Sequence, residues 1–138
     1  MYCAAPINEI YPPTIVIGDG AAEVEIEVNP QHFHTGGALH GSVYFKLLDD
    51  AAFFAANSQE QDVFVLTTSF TTYMTRPVSS GKIKAVGKVV NRNNSQWIAE
   101  AVMTNDESKE IARGNGIFVR SKTKLIDIPA YAELLNSQ

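Results

Sequence analysis

Residues 41–57, GSVYFKLLDDAAFFAAN, constrain the fold of this chain more than any other stretch. They contain no proline, and no glycine after the first position, so the stretch predicts one long α-helix. In a projection at about 100° per residue, Lys46, Asp50 and Asn57 share one polar sector, and nearly all other side chains are apolar. A helix that is apolar around most of its circumference is buried. The remaining elements must therefore cover this helix on most sides.

The other long elements are predicted to be strands. Two apolar-rich runs meet at the turn Gly18-Asp19-Gly20 before the helix, and four runs rich in β-branched and aromatic residues follow it. Most of the later connections are short polar turns, which join antiparallel strands. Since one helix and one sheet must bury each other, we predict an α+β fold, in which one long central helix is wrapped by a curved antiparallel sheet of five to six strands.

The whole chain of 138 residues is predicted to form a single domain. Residues 1–13 end in YPP, which cannot lie inside a helix, and are expected to form an N-terminal arm. Residues 122–138 are expected to form a C-terminal tail, irregular except for a short helix near residues 130–138.

Composition argues against several classes of partner and cofactor. The net charge is −4 and no basic stripe is present, so no nucleic-acid partner is expected. No apolar run approaches the roughly 20 residues of a membrane helix, and no signal-peptide pattern is found, so we expect a cytoplasmic protein without a membrane partner. His32, His34 and His40 lie close in sequence, but thiol and acid ligands near them are lacking, so no metal is expected.

The two adjacent acids of the helix have different surroundings in the projection. Asp50 lies in the middle of the polar sector, one turn after Lys46, and is expected to be a solvated partner of that lysine. Asp49 lies at the edge of the sector, beside apolar side chains. At such a boundary the pKa of a carboxyl group can rise, which suits a general base or a nucleophile. The alternative is that Asp49 accepts a structural hydrogen bond from a neighbouring strand.

His40, Gly41 and Ser42 occupy the predicted start of the helix. Backbone N–H groups in the first turn have no partner inside the helix, and glycine lets a ligand approach them closely. Such a helix end can polarise a carbonyl group and hold an oxyanion. The alternative is that the glycine only marks the passage from loop to helix.

Residues 34–57, HTGGALHGSVYFKLLDDAAFFAAN, and residues 67–119 resemble the hotdog-fold acyl-CoA thioesterases of the phenylacetate-degradation type. The signature of that family is N-x-x-G-x-x-H-G-G followed by a helix aspartate, and a later strand pair carries R-P-V-x-x-G, here residues 76–81. The resemblance implies a hotdog fold and hydrolysis of an acyl-CoA thioester to a free acid and coenzyme A, with no cofactor. It also implies a homodimer or homotetramer with active sites at the subunit interface.

The resemblance assigns roles residue by residue. Asp49, nine positions after His40, matches the catalytic carboxylate, a general base or a nucleophile that forms a transient anhydride. Gly41 matches the residue whose N–H polarises the thioester carbonyl, with His40 as the motif histidine beside it, and both would face Asp49 of the other subunit. Thr67 matches the hydroxyl residue that orients the attacking water or the carboxylate. His34 stands where the motif has Asn, and is expected to hold the water with a dependence on pH.

Further substrate-binding residues are expected around this centre. Ser42 replaces the second motif glycine and keeps its backbone N–H. Phe45 and Phe53 are expected to line a pocket for an aryl or medium-chain acyl group. The candidates for binding the phosphates of coenzyme A are Arg76, Lys88 and Arg92.

Two other functions stay open. A non-catalytic acyl-CoA-binding protein of the same fold would tolerate the change from Asn to His34. A hotdog 3-hydroxyacyl dehydratase would place its helix acid at the position of Lys46, and a lysine cannot serve as that acid.

Overall fold

The computed structural model describes residues 1–136. Its long helix, α1 (Gly41–Asn57), has the bounds predicted from the sequence. Six strands accompany it: β1 (Thr14–Gly18), β2 (Ala21–Glu27), β3 (Val63–Met74), β4 (Lys82–Arg92), β5 (Gln96–Thr104) and β6 (Glu110–Lys124). A short second helix, α2 (Pro129–Asn136), follows the last strand.

The six strands form one antiparallel sheet in the order β1-β2-β4-β5-β6-β3. Its inner face packs on α1, and alternate residues of the central strands, such as Ile83, Ala85, Trp97 and Met103, are fully buried. This alternation follows from the two-residue repeat of a strand. The predicted α+β architecture, one long helix wrapped by a curved antiparallel sheet, is confirmed, with six strands.

The helix comes closest to the sheet at Gly87 of β4. A Cβ atom at this position would lie 2.3 Å from the carbonyl oxygen of Ala51. Only glycine allows a strand backbone to approach a helix backbone this closely. Ala51 and Ala52 on the helix side are also small and fully buried. Small residues on both elements therefore set the distance between helix and sheet.

Strand β3 lies at one edge of the sheet, because it pairs only with β6. Its side chains include Leu66, Tyr73 and Met74, each at least 50% exposed. A long edge strand with exposed apolar side chains is suited to pairing with another chain.

Residues 1–13, predicted as an N-terminal arm, precede β1 and lie against the rest of the chain. They form two short 3-10 turns, Tyr2–Ala4 and Pro6–Glu9. The side chains of Tyr2 and Asn8 are buried. The arm is therefore packed rather than extended into solvent.

The C-terminal part departs slightly from the prediction. Strand β6 continues to Lys124, so residues 122–124 belong to the strand rather than to an irregular tail. A 3-10 turn, Leu125–Asp127, then leads into α2, which begins one residue before the predicted short helix. Residues 137 and 138, the end of that predicted helix, lie outside the described residues. Within residues 1–136, no helix is both long and apolar enough to cross a membrane.

Candidate active site

Asp49 lies on α1 with its carboxyl group half-buried, and it accepts a hydrogen bond from a neighbouring strand. The Thr67 hydroxyl donates to Asp49 Oδ1 at 3.0 Å. Burial raises the pKa of Asp49 to about 6, and the hydrogen bond from Thr67 offsets this only in part. The nearby Asp50 carboxylate raises the pKa further, and Lys46 lowers it slightly. Asp49 is thus a carboxyl group that titrates close to neutral pH, the property that a general base needs.

An irregularity in β3 accompanies this hydrogen bond. Thr67 pairs with Phe118 and Ser69 pairs with Ile117, so Thr68 is an extra residue on β3. The Thr68 hydroxyl donates to the carbonyl oxygen of Ile117 at 3.1 Å. Such bulges bend a strand and re-aim its side chains, and they are frequent beside active sites. Thr67, which contacts Asp49, is the residue immediately before the bulge.

Asp50 belongs to a different set of contacts, which we call the Lys46 network: Tyr2, Asn8, Lys46 and Asp50. Lys46 Nζ donates to Asp50 Oδ2 at 2.6 Å and to Asn8 Oδ1 at 2.7 Å. The Tyr2 hydroxyl also donates to Asp50 Oδ2, at 2.6 Å. The predicted ion pair is present, but Asp50 is not solvated, because only 20% of its side chain is exposed. The parts played by Tyr2 and Asn8 could not be predicted from the sequence, since no local pattern connects them to Lys46, which lies more than 35 residues away.

A cavity of about 900 Å³ adjoins these groups. We call it the Asp49 cavity; Asp49, Thr67, Phe53, the Lys46 network and parts of both terminal segments line it. In the projection with Asp49 at zero, Phe53 lies at about +40° and the polar sector at about +60° to +100°. Of the polar sector, Lys46 and Asp50 face this cavity and the N-terminal arm rather than open solvent, whereas the buried Asn57 bonds the backbone of Val63 and Val65.

A second, smaller cavity of about 320 Å³ lies at the start of α1. We call it the Gly41 cavity, because Gly41 lines it. His40 caps the helix: its Nδ1 accepts from the Ser42 N–H at 3.1 Å and contacts the Ser42 hydroxyl at 2.8 Å. Among the hydrogen bonds of residues 1–136, none uses the N–H of Gly41. This N–H is therefore free to donate to a ligand, as the first turn of a helix allows.

Side-chain space at Gly41 is limited by β3. A Cβ atom at Gly41 would lie 3.1 Å from Met74 Sδ and 3.2 Å from Met74 Cε. The lack of a side chain at Gly41 thus keeps its N–H accessible beside the exposed end of Met74.

His34 lies in the Gly41 cavity, not beside the Asp49 of its own chain. Its Nδ1 accepts a hydrogen bond from the Gly36 N–H at 2.9 Å. A neutral imidazole that accepts at Nδ1 carries its proton at Nε2, which leaves a donor for a further partner.

Within one chain, Asp49 and Gly41 are too far apart to act on one carbonyl group. They are eight residues apart on the same helix, a separation of about 12 Å along the axis. They also line different cavities. The candidate residues therefore fall into two separate groups, which we call half-sites: Asp49 with Thr67 at the Asp49 cavity, and Gly41 with His34 at the Gly41 cavity. His40 and Ser42, which flank Gly41 in sequence, line neither cavity.

The other predicted substrate contacts are divided among several places. Phe53 lines the Asp49 cavity, but Phe45 does not. In the projection Phe45 lies at about −40°, on the other side of Asp49, and it packs edge-on against Phe70. Arg76 lines the Gly41 cavity.

The two remaining candidates for binding phosphate lie in neither cavity. Lys88 is exposed and forms an ion pair with Glu100 at 3.3 Å. The guanidinium of Arg92 lies 5.4 Å from the ring centre of Trp97.

The three histidines make separate local contacts. His32 Nε2 bonds the carbonyl oxygen of Ile10 at 3.0 Å, His34 accepts from Gly36, and His40 contacts Ser42. No group of three or more His, Cys, Asp or Glu with metal-binding geometry occurs in the described part of the chain.

Comparison with known proteins identifies the class. The chain belongs to the thioesterase superfamily, whose sequence model matches residues 36–112. It is similar to a protein of Archaeoglobus fulgidus named "Putative esterase", with 30% identity over 102 residues that cover 74% of this chain and 66% of that protein. A "Putative esterase" of Mycobacterium tuberculosis is 26% identical over 102 residues, which cover 71% of this chain and 73% of that protein.

Solved structures agree on the fold. The Escherichia coli PaaI protein from the phenylacetic acid degradation operon superposes with a TM-score of 0.82 at 22% identity, covering 90% of each chain. A thioesterase of Haemophilus influenzae superposes with a TM-score of 0.77 at 20% identity, covering 86% of this chain and 84% of that one. The fold is therefore the hotdog fold, as the sequence resemblance implied.

Proposed function

We propose that the protein hydrolyses an acyl-CoA thioester to a free acid and coenzyme A. The observation that carries this proposal is the Asp49 carboxyl group, which is half-buried, held by Thr67 and has a pKa of about 6. A structural carboxylate that stabilises the fold has its pKa lowered by its partners, whereas burial raises this one. Its ionised form at neutral pH is basic enough to take a proton from water.

The proposed reaction uses two groups from opposite ends of the helix. Asp49 takes a proton from a water molecule while the water oxygen attacks the thioester carbon. The carbonyl oxygen becomes an oxyanion that accepts a hydrogen bond from Gly41 N–H. The carbon–sulfur bond then breaks, and the thiolate of coenzyme A leaves with the proton that Asp49 took from the water, which restores the Asp49 carboxylate. One oxyanion donor of this kind lowers the barrier by roughly 3–4 kcal/mol. In the alternative route, an Asp49 oxygen attacks the carbon directly and expels the thiolate of coenzyme A, and water then hydrolyses the resulting anhydride to the free acid and the Asp49 carboxylate.

We propose that two copies of the chain form each site. The oxyanion donor must lie about 3 Å from the carbonyl oxygen, and the general base about 3 Å from the water that attacks the same group. Asp49 and Gly41 of one chain do not fit this requirement, because they are about 12 Å apart along α1 and line different cavities. Pairing through the exposed edge strand β3 would supply the second copy. Thr67 and Met74 lie on that strand, beside Asp49 and Gly41 respectively.

The remaining polar groups of the two half-sites fit supporting roles. Thr67 holds the Asp49 carboxylate in one orientation. His34, whose Nδ1 is occupied by Gly36, offers its Nε2–H to the attacking water. Arg76, exposed at the Gly41 cavity, is the candidate for contacting the phosphates of coenzyme A, because it is the cation at the half-site that would receive the thioester carbonyl.

A thiol-release assay on a panel of acyl-CoA substrates tests the proposal. The wild-type protein should release coenzyme A from at least one of them. Asp49→Asn should lower kcat by about 100-fold or more, the range for loss of a general base. Glu100→Gln is a control of matched chemistry, because Glu100 lies outside both cavities. Full activity in the folded Asp49→Asn variant would contradict the proposal.

A second candidate is a protein that binds acyl-CoA without hydrolysing it. The observation that favours it is His34, which replaces the motif Asn and is already engaged by Gly36. Calorimetric binding of acyl-CoA with no thiol release by the wild-type protein would select this function.

A further inference from the structure

The N-terminal arm forms part of the Asp49 cavity. Residues 1–8 contribute most of one wall, through Ala5, Pro6, Ile7 and their neighbours. The opposite walls come from Phe53 on α1 and from Phe64 and Leu66 on β3. The exposed lining is predominantly apolar, and its polar groups are concentrated at Asp49, Thr67 and the Lys46 network.

The Lys46 network fixes this wall to the helix. The Lys46 ammonium, with only 13% of its side chain exposed, contacts Asp50, Asn8 and the Tyr2 hydroxyl. The Asn8 amide also donates to the carbonyl oxygen of Tyr2 at 2.7 Å, which closes the loop of the arm on itself. The Lys46 ammonium lies 5.2 Å from the centre of the Tyr2 ring. Breaking such a network would leave a buried charge with fewer partners, so the arm is held firmly in place.

The cavity has the properties of a ligand site. Its volume of about 900 Å³ is at the upper end of the range usual for small-molecule pockets, and its few polar groups lie near the candidate catalytic carboxylate. The polar groups of the Lys46 network are already satisfied by one another. The part of a ligand that enters beyond Asp49 therefore contacts apolar surface, and it leaves no polar group of the Lys46 network without a hydrogen-bond partner.

We infer that the N-terminal arm is a fixed wall of the acyl-binding pocket and that the protein selects a bulky apolar acyl group over a short one. The thioester carbonyl lies beside Asp49, and the acyl group extends between Phe53 and the arm. Ala5 and Ile7 limit the size of the acyl group from the arm side. This inference deepens the proposed function and rests on it for the thioester beside Asp49 and for the carrier, coenzyme A.

Binding of non-hydrolysable analogues tests the pocket independently of turnover. The probes are S-ethyl-CoA and S-decyl-CoA, thioethers that lack the carbonyl group, titrated into the full-length protein by calorimetry. The wild type should bind S-decyl-CoA at least about tenfold more tightly than S-ethyl-CoA, because the longer chain buries more apolar surface.

Four variants test whether the arm forms this wall. Ile7→Trp and Ala5→Phe add volume to cavity-lining residues, and each should weaken S-decyl-CoA binding by about tenfold or more while leaving S-ethyl-CoA within threefold. Ile10→Trp is the matched control, because Ile10 is in the same arm, is exposed and does not line the cavity. Asn8→Ala should weaken S-decyl-CoA binding and speed amide hydrogen exchange of residues 2–8, since Lys46 loses one acceptor.

Each outcome decides the inference. Equal affinity of the wild type for both thioethers, or failure to bind either, overturns it. Wild-type affinity for S-decyl-CoA in the folded Ile7→Trp and Ala5→Phe variants overturns the role of the arm. Tight, length-dependent binding without hydrolysis of decanoyl-CoA supports the pocket but removes the proposed thioesterase function.

Discussion

Because folding raises the pKa of Asp49, we predict opposite effects of Asp49→Asn on stability and on activity. The folded-state pKa of Asp49 is about 6, against an ordinary value of 3.8. For a carboxyl group whose pKa is raised by folding, the unfolded chain ionises first as the pH increases. The folded state is then penalised progressively between about pH 4 and pH 6, and fully above that range. Asn in place of Asp49 has no charge to bury, so Asp49→Asn should stabilise the protein at neutral pH while removing its activity.

The magnitude follows from the two pKa values. The full penalty at pH 8 is about 3 kcal/mol, and at pH 4 it is only about 0.5 kcal/mol, since one pKa unit corresponds to about 1.36 kcal/mol. The stabilisation by Asp49→Asn should therefore grow by about 2–3 kcal/mol between these pH values. The changed hydrogen bond with Thr67 also contributes to the difference in unfolding free energy between the two proteins, but this contribution does not vary with pH.

The assay is urea unfolding of the wild type and of Asp49→Asn at pH 4 and pH 8, at equal protein concentration. Glu100→Gln serves as the control, because Glu100 is a partly exposed carboxylate away from both half-sites. A raised pKa of Asp49 in the folded state is refuted if the difference in unfolding free energy between Asp49→Asn and wild type is the same at both pH values. It is also refuted if Asp49→Asn is less stable than the wild type and the deficit is larger at pH 8 than at pH 4.

Four further predictions concern activity. In the wild type, kcat/KM should fall about tenfold from pH 7 to pH 5, because the ionised fraction of a group with a pKa of about 6 falls by that factor; a flat profile across this range would mean that Asp49 is not the base. Asp50→Asn should move this acidic limb to lower pH, because Lys46 loses its neutralising partner and the negative charge that raises the pKa of Asp49 is removed; an unmoved limb would show that the two acids are not coupled. Thr67→Val should move the limb to higher pH, because the hydrogen bond that lowers the pKa of Asp49 is lost, and a shift in the other direction would contradict the assigned geometry. Mixing inactive Asp49→Asn chains with inactive Gly41→Pro chains should restore partial thiol release, since a hybrid oligomer contains one intact site. The Gly41→Pro chain should still fold, because proline is well tolerated at the first position of a helix. If native mass spectrometry verifies subunit exchange and no activity is recovered, the site is not shared by two chains.

Much of the fold was predictable because its signals are local. The bounds of α1 follow from a continuous run of helix-compatible residues between a glycine-rich loop and a polar turn. The alternation of Val24 and Ile26 with glutamates gives the inner and outer faces of β2. The contact of Lys46 with Asp50 follows from their spacing of four residues in a helix.

The helix projection also separated the two acids correctly, but it could not identify what each one faces. A polar sector on a helix usually means solvent. Here Lys46 and Asp50 face a cavity and the N-terminal arm, so Asp50 is enclosed by Tyr2 and Lys46. The pairing of Tyr2 with a residue 48 positions later leaves no trace in local sequence.

The amino-acid sequence by itself determined the helix, the strands, the placement of Asp49 at an apolar boundary and the glycine at the helix start. These features depend on periodicity and backbone preference, which act over a few residues. The family resemblance had already pointed to Thr67 as a residue that orients the carboxylate, and the structure shows its hydrogen bond to Asp49. The tertiary structure alone decided that this contact lies beside a β-bulge, that Phe53 rather than Phe45 lines the cavity, and that the N-terminal arm closes one side of it. These depend on how the sheet curves around the helix and where the terminal segments pack, contacts between residues far apart in sequence that no local pattern encodes.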